Sequence, residues 1–273
     1  MRSDCIQTTV CQERKKDPIE MFHSGQLVKV CAPMVRYSKL AFRTLVRKYS
    51  CDLCYTPMIV AADFVRPIKA RDSEFTTNQM INFIRCCSCS PYADGTDISR
   101  GCPQRWARAE GYGACLINKN EVENPRFLVS VKIRIHDDLP RTVDLCQKAE
   151  AIGAPCVTVR GRTAEERHRP VHYDAIEIIK ENMSIPVIAN GDIRSLKEAE
   201  NVWQITGTDG VAAARGLLAN LAMCAGCEGT PLKFQELGTP YVCFHQHLMK
   251  KRIFNALSST SAVLDYFIDH YGI

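Results

Sequence analysis

Six polar or thiol-bearing segments of this 273-residue chain fall at the ends of short apolar runs: Pro33-Met34, Cys102 within Gly101-Cys102-Pro103, Lys132 with Arg134, Arg160-Gly161-Arg162, Asn190-Gly191-Asp192 and Arg215-Gly216. Lys132 lies inside the apolar run FLVSVKIRI at 127–135. A cation there is costly to bury unless it turns into a polar site, so Lys132 is expected to face one, with an ion pair as the plainer alternative. Asn190-Gly191-Asp192 and Arg215-Gly216 each place a glycine ahead of a helical stretch. Backbone N–H groups and a helix dipole at such a point suit a phosphate. Taken in order, they make a phosphate-bearing cofactor the leading expectation. Cys102, between glycine and proline at a strand end, is an odd place for a buried core thiol, which is its bland alternative. Arg105, Arg108, Arg162, Arg167, His168 and Arg169 could contact a polyanion or simply form a solvated basic face.

Composition narrows the classes. Hydrophobic residues make up 46% and charged residues 24%, near globular averages, so most of the chain should fold. The net charge of +5 is mildly basic and compatible with a polyanionic partner without being diagnostic. Fifteen cysteines, odd in number and scattered, do not make a disulfide scaffold and fit a reducing compartment. The pairs Cys51/Cys54 and Cys224/Cys227 and the cluster Cys86-Cys87-Ser88-Cys89 have zinc-ligand chemistry. Cys51 and Cys54 lead into an apolar run, however, and neither pair has a partner at finger spacing, so no metal site is expected. There is no apolar run near the roughly 20 residues of a membrane span. The polar N-terminal residues lack the apolar stretch of a secretory signal. The expected location is therefore the cytoplasm or also the nucleus, with no membrane partner.

These residues need a scaffold that gathers strand ends. Short apolar strands alternate with helical stretches, the pattern of parallel βαβ units. Strands are expected at 27–32, 55–61, 96–99, 127–135, 155–160, 185–189 and 210–214. Helices are expected after Ser38, over 142–152 with a stop at Gly153, after Asp174-x-x-Glu177, and after the capping pair Ser195 and Glu198. The fold class is an α/β chain forming a TIM (β/α)8-type barrel, with an open doubly wound sheet as the alternative. Only the run at 80–84 could supply the strand needed between the second and the one ending at Ser99, so the barrel could be incomplete around strand 3. Three regions follow: a polar N-terminal arm over 1–25, the barrel over 26–220, and a helical tail over 221–273. Ligands bind such barrels at the carboxyl ends of the strands, where all six segments fall. Nothing in the sequence decides an oligomeric state.

Cys31-Ala32-Pro33-Met34, Gly101-Cys102-Pro103-Gln104, Val131-Lys132-Ile133-Arg134, Gly161-Arg162-Thr163, Ala189-Asn190-Gly191-Asp192 and Asp209-Gly210-Val211 through Arg215-Gly216 together resemble the tRNA-dihydrouridine synthase family, in that family's order. The likeness runs from about residue 26 to 220 and on into the tail, and looks closest to the eukaryotic 4-like branch acting at D-loop positions 20a and 20b. The resemblance implies an FMN-containing TIM barrel with a C-terminal helical domain that helps hold tRNA. In that family NADPH or NADH reduces the flavin, which gives hydride to C6 of a uracil. It further implies that Pro33, Met34 and Val35 line the flavin and that Lys132 sits by its pyrimidine edge. Asn190, Gly191, Asp192, Ala214 and Arg215 would take the phosphate and ribityl end, Arg160 would stand beside them, and Cys102 would give a proton to C5. Arg105, Arg108, Arg162 and Arg167 would contact RNA.

The chain departs from the family pattern in three places. Residues 80–90 do not match the family's third strand with its flavin-binding Gln. Ser99-Arg100 stands where the family has Asn before Gly-Cys-Pro, and Arg160 stands where it has His before Gly-Arg. Segments before Phe127, between Cys227 and Gly238 and between Met249 and Arg252 look shortened, as though by internal deletion. Two further readings stay open: an impaired RNA-binding remnant or splice variant of the family, and another FMN barrel reductase acting on a small pyrimidine.

Overall fold

The structure, a computed structural model, describes residues 18–35, 37–58, 83–85, 95–99, 128–166 and 169–230. Eight parallel strands close into a barrel: β1 (Val28–Cys31), β2 (Leu53–Tyr55), β3 (Phe83–Arg85), β4 (Gly95–Ser99), β5 (Leu128–Arg134), β6 (Val157–Arg160), β7 (Val187–Asn190) and β8 (Gly210–Ala213). Each pairs with the next, and β1 returns to β8 through the register Val28↔Gly210 to Cys31↔Ala213. The strand that the sequence left weakest is β3, three residues long. It pairs with β2 at Cys54↔Phe83 and with β4 at Ile84↔Gly95, so the ring closes but is thin there.

The second half follows its sequence signals closely. β6, β7 and β8 are almost wholly buried, as strands covered on both faces must be. From β5 to β8 the strands are joined by α3 (Leu139–Ala151), α4 (Tyr173–Glu181) and α5 (Leu196–Thr206). Gly153, at φ +87°, ends the α3 segment where predicted, in the left-handed region that glycine enters without strain. Ser195 caps α5: its hydroxyl accepts the Glu198 N–H at 3.1 Å, while the Glu198 carboxylate accepts the Arg194 N–H at 2.6 Å. Ser195→Ala should cost about 1 kcal/mol of stability, read as a lower urea midpoint at unchanged slope.

Two other expected caps are overruled by the loops around them. Ser38 does not cap α2 (Leu40–Lys48), whose N-cap is Lys39. Ser38 is fully buried and its hydroxyl meets both the N–H and the carbonyl of Met34, at 3.0 and 3.1 Å, which folds the loop after β1. His172, not Asp174, is the N-cap of α4. The inward positions of both helices, Phe42 and Val46, Ile176 and Ile179, are buried as their spacing requires.

Apolar packing is divided by the barrel wall. Outside it, α2 to α5 bury Phe42, Val46, Ile176, Ile179 and Val202 against Val131, Ile133, Val157, Val159 and Val187. Inside it lie Val28, Val30, Ala32, Leu53, Tyr55, Cys156, Ile188 and Ala212. Phe22, from the short helix α1 (Pro18–Phe22), joins this interior group, so the end of the expected polar arm folds beneath the barrel. After β8 come α6 (Arg215–Ala219) and one 3-10 turn, Met223–Ala225. The helical tail expected over 221–273 lies outside the described residues beyond Thr230.

A candidate cationic site at the barrel mouth

Alternate residues of each strand face the barrel axis, which sorts the candidate residues by position alone. On β5, Val131 and Ile133 pack outward against helices, so Ser130 and Lys132 point in. β6 sends in Cys156, Thr158 and Arg160, β7 sends in Ile188 and Asn190, and Ala214 follows Ala212 at the end of β8. The expected placement of Lys132 holds. Its Nζ donates to Asn190 Oδ1 at 3.2 Å, and Asn190 is anchored in turn by donating from Nδ2 to the Ala212 carbonyl at 2.7 Å. Burial, with the charges of Arg160 and Arg134 beside it, pushes the Lys132 ammonium down to about 8.

Four arginines surround this pair. Arg134 donates to the Thr163 carbonyl at 2.9 Å. Arg162 grips Asp192 with both terminal nitrogens, and Arg215 donates to the same carboxylate at 2.6 Å. The hydrogen bond from Arg162 holds the Asp192 carboxyl below its usual range. Arg160 is lowered to about 10, mainly by burial and then by repulsion from Arg134, Arg162 and Arg215. Its Nε is buried and meets no hydrogen-bond partner among the described residues. A half-buried arginine whose Nε–H is buried and unused, set among other cations, fits an anionic or acceptor-rich ligand.

Three findings alter the sequence picture. Arg162, expected at an RNA surface, has a side chain only 3% exposed and gives its donors to Asp192 and the Arg169 carbonyl. It positions Asp192 within the mouth and presents no free face. Gly191 and Gly216 do not leave their side-chain space to a ligand. A Cβ on Gly191 would press on Val171, and one on Gly216 would run into the Ile193 carbonyl and sit 2.8 Å from the Arg194 Cα. These glycines let loops pack closely, and the anion-binding character of the mouth comes from its cations. Third, sequence reasoning passed over Asp97. It is 4% exposed inside the barrel, accepts from Ser130 Oγ at 2.9 Å, and is pushed up to about 6 by burial. Its strand, Gly-Thr-Asp-Ile-Ser, is too polar for the rule that marks Lys132, a charge inside an apolar run, to mark it as well.

Pro33, Met34 and Val35 form the loop after β1, with Met34 buried and Val35 half exposed. Tyr173, at the start of α4, steadies the opposite side by donating to the Gly191 carbonyl at 2.8 Å. Cys102, Arg105, Arg108 and Arg167 lie outside the described residues. The described cysteines are free and, except for Cys227, buried. Burial pushes Cys146 and Cys156 up to about 12, as befits small apolar side chains rather than nucleophiles. Among the described residues no cluster of His, Cys, Asp and Glu is arranged to hold a metal ion, and no helix is long and apolar enough to cross a membrane.

Residues 30–261 match the family model described as dihydrouridine synthase. The chain is similar to a Homo sapiens protein named "tRNA-dihydrouridine(20a/20b) synthase [NAD(P)+]-like", at 71% identity over all of both chains. It is 37% identical to the Schizosaccharomyces pombe "tRNA-dihydrouridine(20a/20b) synthase [NAD(P)+]", over 96% of this chain and 94% of that one. The human alignment spans 317 positions against the 273 residues present here, so about 44 positions of that relative fall opposite gaps within this chain.

Proposed function

We propose, since the chain belongs to the dihydrouridine synthase family and to its 20a/20b-like branch, that it is an FMN-dependent enzyme reducing uridine to dihydrouridine in the D-loop of tRNA, at positions 20a and 20b. The observation that carries this reading is the half-buried Lys132, held on Asn190 at the mouth of the barrel among Arg134, Arg160, Arg162 and Arg215. NADPH or NADH is the reductant, and FMN when bound supplies the hydride that goes to C6 of the uracil.

The protein's own residues then have definite tasks. Lys132 stabilises negative charge at the pyrimidine edge of the flavin, and in a site shielded from water such a fixed cation is worth far more than in solution. Arg160 and Arg215, with Asn190, Gly191, Asp192 and Ala214, take the phosphate and ribityl end. Arg162 keeps Asp192, and through it Arg215, in place. Pro33, Met34 and Val35 border the ring system on a loop that Ser38 holds folded. Cys102 gives its thiol proton to C5, so the uracil C5=C6 bond takes up one hydride and one proton while NAD(P)H is oxidised. That task needs the thiol form, hence a Cys102 midpoint at or above neutrality. Arg105, Arg108 and Arg167 hold phosphates of the tRNA, whose target base leaves its stack to enter the mouth. The cytoplasm, or also the nucleus, is where such a substrate is met.

The purified protein should show the yellow absorption bands of bound flavin, or acquire them on titration with FMN. No binding at saturating FMN would overturn the reading. Cys102→Ala should keep the flavin bands and lose dihydrouridine formation, and unchanged turnover would remove Cys102 from its role. The gap of about 44 positions favours a second reading, a member that binds RNA without turnover. Retention of tRNA by a protein that takes up no flavin would select it.

A further inference from the structure

Below Lys132 the barrel interior holds a polar group that the apolar core does not need. Tyr55 of β2, Asp97 of β4, Ser130 of β5 and Thr158 of β6 meet there, around Cys156. Tyr55 Oη is buried beside Ser130 and Thr158 but in no well-formed hydrogen bond with either. Asp97 uses one oxygen to accept from Ser130, and a carboxylate has acceptor capacity well beyond that single bond.

The charges facing Lys132 are unequal. Arg160 on β6 and Arg134 on its own strand both repel its protonated form, and Asn190 on β7 offers a neutral amide oxygen. Asp97 on β4, opposite Ser130 in the β4–β5 register and so one inward layer below Lys132, is the anion that opposes them. In the other direction, Asp97 faces Lys132 as its cation, while Tyr55 and Cys156, both raised by burial, remain neutral beside it. We propose that Asp97 is a positioning residue, the buried counter-ion that keeps Lys132 charged at the barrel mouth, with Ser130 holding its carboxylate ready. The coupling itself follows from the β4–β5 register and acts across the interior, since the two side chains make no direct salt bridge. Its service to the flavin rests on the function proposed above.

The test uses the full chain without flavin. Its lysines are converted to 13C-dimethyl-lysine, and the Lys132 resonance is identified by its loss in Lys132→Met and followed with pH by NMR. In Asp97→Asn the Lys132 midpoint should fall by about one pH unit or more, the size expected when an opposite charge nearby is removed. Ser130→Ala, which removes the hydrogen bond favouring the ionised carboxyl, should move it the same way by less. Asp97→Glu, keeping the charge, should return it toward the parent value. A Lys132 midpoint unchanged in Asp97→Asn would overturn the proposal. Should that variant fail to fold, an unchanged midpoint in Asp97→Ser would do so. With FMN added, the pH at which affinity declines on the alkaline side should fall together with the lysine midpoint. Failure of FMN to bind at any pH would sink the proposed function while leaving the NMR result to judge the coupling of Asp97 to Lys132.

Discussion

Lys132→Met is expected to make the protein more stable and to remove its flavin-dependent activity. The sign follows from proton linkage. Lys132 has a folded midpoint of about 8 against an ordinary value of 10.5. A group lowered in this way favours the fold fully above its unfolded midpoint, and that benefit is lost as pH falls through 8. Asp97 is the opposite case, raised from 3.8 to about 6: its benefit exists below the unfolded midpoint and is lost as pH rises through 6. Between about 6 and 8 both are charged and both burdens are present, so stability should pass through a shallow minimum there. Methionine removes the lysine burden, although it also leaves Asp97 without its cation, and Asp97 then takes up a proton. The net gain should be about 2 kcal/mol at neutral pH, the desolvation cost of the lysine less the cost of protonating Asp97. Thermal unfolding should show a midpoint higher by several degrees, with a smaller gain above pH 10. The same variant should bind FMN weakly and form no measurable dihydrouridine, because the cation it lacks is the one assigned to the flavin's pyrimidine edge. A lower unfolding midpoint in Lys132→Met would mean that the charge of Lys132 stabilises the barrel and is there for folding alone.

Gly216→Ala is expected to be the most damaging single methyl group in the described part of the chain. The added carbon would be driven into the Ile193 carbonyl, within 2.8 Å of the Arg194 Cα and of the Met223 sulfur. The first two neighbours are backbone, which cannot rotate away as a side chain could. Relief requires parting α6 from the loop after β7, and that loop carries Asp192, the shared partner of Arg162 and Arg215. The loss should reach about 3 kcal/mol, the upper end for overpacked sites, with a fall in FMN affinity from the displaced arginines. Chemical denaturation gives the first quantity and flavin titration the second. Gly229→Ala is the matched control, since nothing lies within 4 Å of its added carbon, and it should behave as the parent. Equal stabilities for the two variants would show that the loop after β7 yields easily and does not fix the arginines.

Much of the second half could be read without coordinates. Alternation of buried strands and amphipathic helices is a local, periodic property, so β5 to β8 and α3 to α5 appear where Gly153, Ser195 and the apolar spacings put them. The ring of mouth residues was legible for a related reason: in a parallel barrel all strand ends face one way, so order along the chain becomes order around the mouth. Family resemblance then named the ligand classes that such a ring would take. The choice of partners was not legible. Arg162 looks like one more surface cation until the register of β6 with β7 brings Asp192, thirty positions along, against its guanidinium. Ser38 has the residue type of a cap, yet tertiary packing turns its hydroxyl toward Met34. Gly216 reads as part of a phosphate loop, but its empty side-chain position belongs to the Ile193 carbonyl. Asp97 and Lys132 stand 35 positions apart, and only closure of the barrel puts both within one low-dielectric interior. The cationic mouth is thus a property of sequence order. Which of its charges are free for a ligand, and which are already neutralised, is decided by barrel register, because electrostatic and packing energies depend on distances that span strands remote in the chain.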